Sequence, residues 1–117
     1  MQKVVIYHNP RCSKSRQTLA LLEGEGVNPE IVQYLDQPPS VSKLDQLCKG
    51  LGVQPLELMR TKEKRFAELG LSRKDERPRR EWLQLMHQNP VLIERPIVVN
   101  GGKMALGRPP ENVLEIL

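Results

Sequence analysis

The sequence predicts an α/β fold in which helices flank a four-stranded mixed sheet, with a helical insertion in the middle of the chain. Three observations carry this. A β-branched run near the start is followed by a helical pattern and a second short strand; a hairpin signal, Asn100-Gly101-Gly102, lies between two apolar runs near the end; and the stretch between them reads as helix. Strand-helix-strand at one end and a hairpin at the other require parallel and antiparallel pairing in one sheet.

Lys3-Val4-Val5-Ile6-Tyr7 has the composition of a buried strand, and from Ser13 onward Leu19 and Leu22 recur at helical spacing. Asn9-Pro10 separates the two elements, and Gly24 and Gly26 mark the helix end. Residues 30–35 alternate as a second strand, so the crossover is right-handed and the strands parallel. After the turn Asp36-Gln37-Pro38-Pro39, Ser40 caps a helix with an apolar stripe of Val41, Leu44, Leu47 or Cys48, and Leu51. Pro55 opens a short helix over 56–59, and a further helical stretch covers roughly 62–69. The charge-dense connection over 73–80 reads as a solvated loop and helix start rather than a nucleic-acid patch. Trp82, Leu83 and Met86 give the next helix its apolar face, which Asn89-Pro90 terminates. In the hairpin, Ile97-Val98-Val99 pairs with Lys103-Met104-Ala105-Leu106, and Asn100-Gly101 supplies positive φ angles. Gly107-Arg108-Pro109-Pro110 leads to a last helix over 111–116. The order βαβ, helices, ββα is that of a thioredoxin-like core.

The 117 residues are expected to form one domain, 1–117, with the helical insertion at about 40–90. A composition 38% hydrophobic and 27% charged is that of an ordinary soluble globular protein, and no apolar run approaches the roughly 20 residues that cross a bilayer. With 3% aromatic residues there is no stacking platform for single-stranded nucleic acid, and dispersed basic residues giving a net charge of +4 suit a small anion better. Two cysteines make no disulfide framework and no signal peptide precedes the first strand, so a cytoplasmic, reducing location is expected, for a monomer with no bound metal.

Cys12 falls where a strand ends and a helix begins, facing unpaired backbone N–H groups and the positive end of the helix dipole. Thiolates and oxyanions are both stabilised there. Moving a thiol pKa from about 8.5 to about 6.5 needs roughly 2.7 kcal/mol, whereas a helix terminus usually supplies about 0.3 to 1 and at most about 2 kcal/mol. Further donors or cations are therefore required. His8, Arg11, Lys14, the Ser15 hydroxyl and Arg16 are at hand. Cys48 reads as a small apolar helix residue rather than a resolving thiol; the active stretch is C-x-x-S, so an external thiol must complete any redox cycle.

His8-Asn9-Pro10-Arg11-Cys12-Ser13-Lys14-Ser15-Arg16 resembles the active-site signature of the glutaredoxin-dependent arsenate reductase family, thioredoxin-fold proteins that also include the Spx-like transcriptional regulators. Many members have Gly-Thr after the cysteine, where this chain has Ser13-Lys14. Met59-Arg60-Thr61, Glu94-Arg95-Pro96 and Gly107-Arg108-Pro109 resemble, in order, the family's three arginine-bearing motifs. The resemblance implies reduction of arsenate to arsenite, with Cys12 as nucleophile and Arg60, Arg95 and Arg108 binding the oxyanion. It implies that Ser15 hydrogen-bonds the thiolate, that His8 tunes its pKa from the preceding loop, and that Arg95-Pro96 is cis. Glutathione would be the reducing co-substrate and glutaredoxin the partner, with no bound cofactor. Several guanidiniums suit the task because arginine offers fixed bidentate donors, keeps its proton, and neutralises an anion that a thiolate must approach.

Two other readings keep much of the fold. A monothiol oxidoreductase acting on glutathione mixed disulfides could use C-x-x-S, but gives no reason for three oxyanion-directed arginines. A non-enzymatic Spx-like regulator would more often carry C-x-x-C. A thiol phosphatase is set aside: its loop needs arginine six positions after the cysteine, and Thr18 stands there.

Overall fold

The computed structural model describes residues 3–117. They form two compact units: one comprises the chain through Gln37 together with Arg95–Leu117, the other Pro38–Glu94.

In the first unit, β1 (Val4–His8) is followed by α1 (Ser13–Gly24) and β2 (Glu30–Gln33), and the chain returns to it as β3 (Ile97–Asn100) and β4 (Lys103–Leu106). The sheet order is β2-β1-β3-β4, with β1 and β2 parallel and the other two pairings antiparallel. This is the mixed four-stranded sheet the sequence predicts. Register decides what the sheet does next. Tyr7 lies opposite Ile97, and Ile97 opposite Leu106. The end of β1, the start of β3 and the end of β4 thus share one edge, which is where Cys12, Arg95 and Arg108 leave the sheet.

The core of this unit is built from facing pairs. Ile6 and Val98 are cross-strand partners, and with Leu22 of α1 and Val113 and Ile116 near the C-terminus they form one buried cluster. Each such side chain contributes about 1.5–3 kcal/mol relative to exposure.

Several boundaries differ from expectation. The second strand stops at Gln33, because Asp36 and Gln37 both turn their N–H groups back to the Gln33 carbonyl. The final helix is a 3-10 helix, Pro110–Ile116, with proline at its first position. In the hairpin, Asn100 is a strand residue paired with Lys103, its side-chain amide donating to the Ile116 carbonyl at 2.6 Å. Gly101 alone carries the left-handed angle, φ 63°. With glycine available next to it, the turn places the positive φ where no Cβ opposes it.

The second unit is helical. Its α2 (Val41–Leu51) is capped by Ser40, whose Oγ accepts the Lys43 N–H at 3.0 Å, and is closed by Gly52 at φ 72°. A 3-10 helix, Pro55–Leu58, leads to α3 (Lys64–Glu68), shorter than expected; α4 (Arg79–Gln88) and a 3-10 turn, Pro90–Leu92, follow. Leu44, Leu47 and Cys48 of α2 and Trp82, Leu83 and Met86 of α4 are all buried, as the apolar stripes require. Two arginines of the charge-dense connection are paired: Arg77 bonds Asp75 and Glu81 and lies over the Trp82 ring, while Arg79 bonds Asp45 of α2 at 2.7 Å. Among the described residues, no helix is long and apolar enough to cross a membrane.

Candidate active site

The connection between β1 and α1 is a tight turn. The Cys12 N–H donates to the Asn9 carbonyl at 3.0 Å, the Arg11 N–H to Asn9 Oδ1 at 3.0 Å, and the Arg16 guanidinium returns to the Pro10 carbonyl at 2.9 Å. Cys12 is then the N-cap of α1, extended at φ −93° and ψ 124°, with its carbonyl accepting the Arg16 N–H. By strict geometry its thiol makes no cap hydrogen bond. The N–H groups of Ser15 and Lys14 nevertheless face the sulfur closely enough to favour its anion. Partial burial pushes the Cys12 thiol up, but those two N–H groups together with the charge and hydrogen bonding of Arg95 outweigh it and hold the pKa below the usual thiol range.

Ser15 is fully buried, and its hydroxyl has two partners in the turn. Oγ accepts the Asn9 N–H at 3.0 Å and lies 2.6 Å from His8 Nδ1. As the third residue of α1, Ser15 turns its side chain back toward β1 while its backbone N–H points out of the helix start at Cys12. The backbone, rather than the hydroxyl, serves the thiol. His8 is likewise not a loop residue but the last residue of β1, and buried. Burial first, and the nearby charge of Arg16 second, hold its pKa below the usual imidazole value. The imidazole thus meets the Ser15 hydroxyl at 2.6 Å.

Arg95 meets the thiol directly, through charge and a side-chain hydrogen bond. The peptide bond after it, Arg95-Pro96, is cis, and so is Arg108-Pro109, which the sequence reading did not anticipate. Arg108 Nη1 donates to the Arg95 carbonyl at 3.3 Å, so the two arginines are tied to one another. Arg60 belongs to the helical unit. There its backbone N–H donates to the Leu92 carbonyl at 2.7 Å, and its guanidinium pairs with Glu63 at 3.0 Å and Glu94 at 4.0 Å and donates to the Val91 carbonyl at 3.2 Å. Two carboxylates thus already face this cation.

Cys48 is fully buried on α2, and burial pushes its thiol up to about 11. It stays protonated at neutral pH, as a core residue should. No group of three or more His, Cys, Asp or Glu among the described residues could hold a metal ion.

Sequence reading missed Thr18 and Gly107. Thr18 is fully buried on α1, its hydroxyl 2.8 Å from the Lys14 carbonyl and 3.5 Å from that of Gly107. No local signal could reveal a contact between residues 89 apart in the chain.

A model of the ArsC family matches residues 7–116. The chain belongs to the ArsC family. Its ArsC-family relatives include the arsenate reductase of Haemophilus influenzae, 49% identical over 97% of this chain and 98% of that protein. The Escherichia coli protein named "Uncharacterized protein YfgD" is 53% identical over 99% of this chain and 98% of its own length. Among solved structures, the arsenate reductase of Vibrio cholerae superposes with a TM-score of 0.94 at 49% identity, covering 99% of this chain and 98% of that one. The ArsC match takes in the whole C-x-x-S stretch and all three arginine-bearing motifs. The fold is accordingly thioredoxin-like.

Proposed function

We propose that this protein reduces arsenate to arsenite, with Cys12 as the nucleophile. The observation that carries the reading is the environment of the thiol: two helix-start N–H groups and the Arg95 guanidinium act on one sulfur, and Arg108 is tied to Arg95. Such a site lowers a thiol pKa and attracts an oxyanion with the same donors. The names carried by ArsC-family relatives point to arsenate as that oxyanion.

The Cys12 thiolate attacks arsenic in an arsenate held by Arg95 and Arg108. A sulfur–arsenic bond forms and one oxygen leaves as water after protonation. Glutathione then supplies the second thiol. As a sulfur–sulfur bond forms between glutathione and Cys12, the electron pair of the sulfur–arsenic bond stays on arsenic, which is reduced by two electrons and departs as arsenite. Glutaredoxin reduces the remaining mixed disulfide and restores the Cys12 thiol. His8 and Ser15 hold the helix start in place. Cys48, buried and protonated, takes no part. The protein acts as a cytoplasmic monomer with no bound cofactor.

The test is arsenate-dependent NADPH oxidation coupled through glutathione, glutaredoxin and glutathione reductase, beside a Cys12→Ser control. Turnover by the native protein and its loss in a folded Cys12→Ser variant is the expected result. No turnover by the folded native protein would overturn the reading in favour of thiol exchange on glutathione mixed disulfides.

A further inference from the structure

We propose that Thr18 is a positioning residue of the oxyanion site, setting the spacing between the start of α1, which presents Cys12, and the two segments that carry Arg95 and Arg108. The inference rests on the reading of those three residues as one arsenate site.

Thr18 sits six positions beyond Cys12 and is fully buried. Its hydroxyl donates to the Lys14 carbonyl at 2.8 Å, and Lys14 gives one of the two N–H groups facing the sulfur. The same oxygen lies 3.5 Å from the Gly107 carbonyl. Gly107 approaches so closely that a methyl group added to it would stand 2.6 Å from Thr18 Oγ1, 3.1 Å from Thr18 Cγ2 and 2.8 Å from Pro96 Cγ. Contacts this short leave no room for one more carbon. The Gly107 N–H in turn donates to the Pro96 carbonyl at 2.9 Å.

Three pieces of chain therefore share one contact with no spare volume. These are the second turn of α1, the residue after Arg95, and the residue before Arg108. The hydroxyl, held by its hydrogen bond to the Lys14 carbonyl, fixes the side chain in the place where Gly107 comes closest. The tie between Arg108 and the Arg95 carbonyl carries the same spacing to both guanidiniums. Neither Thr18 nor Gly107 touches the thiol in this account; both act through the backbone they separate.

Thr18→Val is the decisive variant, because it sets a methyl group where the hydroxyl stood 2.8 Å from the Lys14 carbonyl, a distance no methyl can keep, so the helix start that presents Cys12 must shift. Thr18→Ser keeps the donor, and Gly107→Ala loads the same contact from the other side. Each is assayed, after thermal unfolding shows it folded, for arsenate KM and kcat and for the pH profile of Cys12 alkylation by iodoacetamide. The expected result is an arsenate KM raised on the order of tenfold with a smaller change in kcat, an alkylation midpoint moved upward in Thr18→Val and Gly107→Ala, and near-native values in Thr18→Ser. Native KM and alkylation profile in folded Thr18→Val and Gly107→Ala, with lower stability alone, would overturn it. Should Thr18→Val not fold, Gly107→Ala decides by the same readouts. If the native protein turns over no arsenate, the functional reading fails, while the alkylation profiles still decide whether Thr18 positions the thiol.

Discussion

Ser15 Oγ lies 2.6 Å from His8 Nδ1, and both side chains are buried. The pair joins the last residue of β1 to the first turn of α1, so the Cys12 turn is bracketed by a side-chain hydrogen bond as well as by its own backbone. With the Asn9 N–H already donating to Oγ, the serine hydroxyl serves two partners at once.

Removing that hydroxyl strands both partners. Ser15→Ala is expected to cost about 1–3 kcal/mol, the usual penalty for leaving buried polar groups unsatisfied, read as a lower midpoint in urea unfolding. Its alkylation profile at Cys12 should move little, because the Ser15 N–H that faces the sulfur remains. A large alkaline shift in Ser15→Ala would show that the hydroxyl does act on the thiol.

Arg95→Met should behave in the opposite way. The charge and hydrogen bond of this guanidinium both act on Cys12, so its loss moves the thiol pKa upward and slows iodoacetamide alkylation at neutral pH. Turnover of arsenate should fall on the order of a hundredfold, the scale seen when one donor of an oxyanion site is removed. An unchanged alkylation profile would disprove the electrostatic role assigned here.

His8 gives the protein a pH-dependent stability. Its folded pKa is lowered, so the unfolded chain binds the proton more readily than the folded one. The stability associated with this residue is fully present above the ordinary imidazole pKa of about 6.5 and is lost as pH falls through the folded value. Urea unfolding at a series of pH values should show that decline, and His8→Gln should flatten it; equal slopes in both proteins would count against a buried neutral imidazole.

The two thiols should be kinetically distinct. In the native protein, a sub-stoichiometric pulse of iodoacetamide should label Cys12, while Cys48, buried and shifted up to about 11, should react only after denaturation. Peptide mapping reads the outcome directly. Cys48→Ala should retain arsenate turnover, and its loss in a folded variant would reopen the resolving-thiol idea.

Much of this site is legible in the linear chain because its determinants are local. Val4, Val5 and Ile6 form a strand, Asn9-Pro10 breaks it, and Leu19 and Leu22 set a helix in phase, so Cys12 falls at the junction by sequence spacing alone. The Ser40 cap, the buried faces of α2 and α4, and the hairpin are readable for the same reason: each depends on residues within a few positions of one another. The roles within the junction were less accessible. Which group of Ser15 meets the sulfur depends on where its side chain finds partners, and those partners, His8 and Asn9, are brought back by the turn.

The sequence by itself determined the place of the Cys12 thiol, the order of strands and helices, and three arginine-bearing motifs. Only the tertiary structure decided which arginines share a unit with the thiol. The antiparallel register of β1, β3 and β4 brings Arg95 and Arg108 to the edge where Cys12 emerges, while Arg60 lies in the helical unit between two carboxylates. Likewise the close contact of Thr18 with Gly107 and Pro96 has no counterpart in any short window of sequence. Long-range pairing and packing arise from closing the whole chain on itself, and they select among side chains that local pattern leaves equivalent.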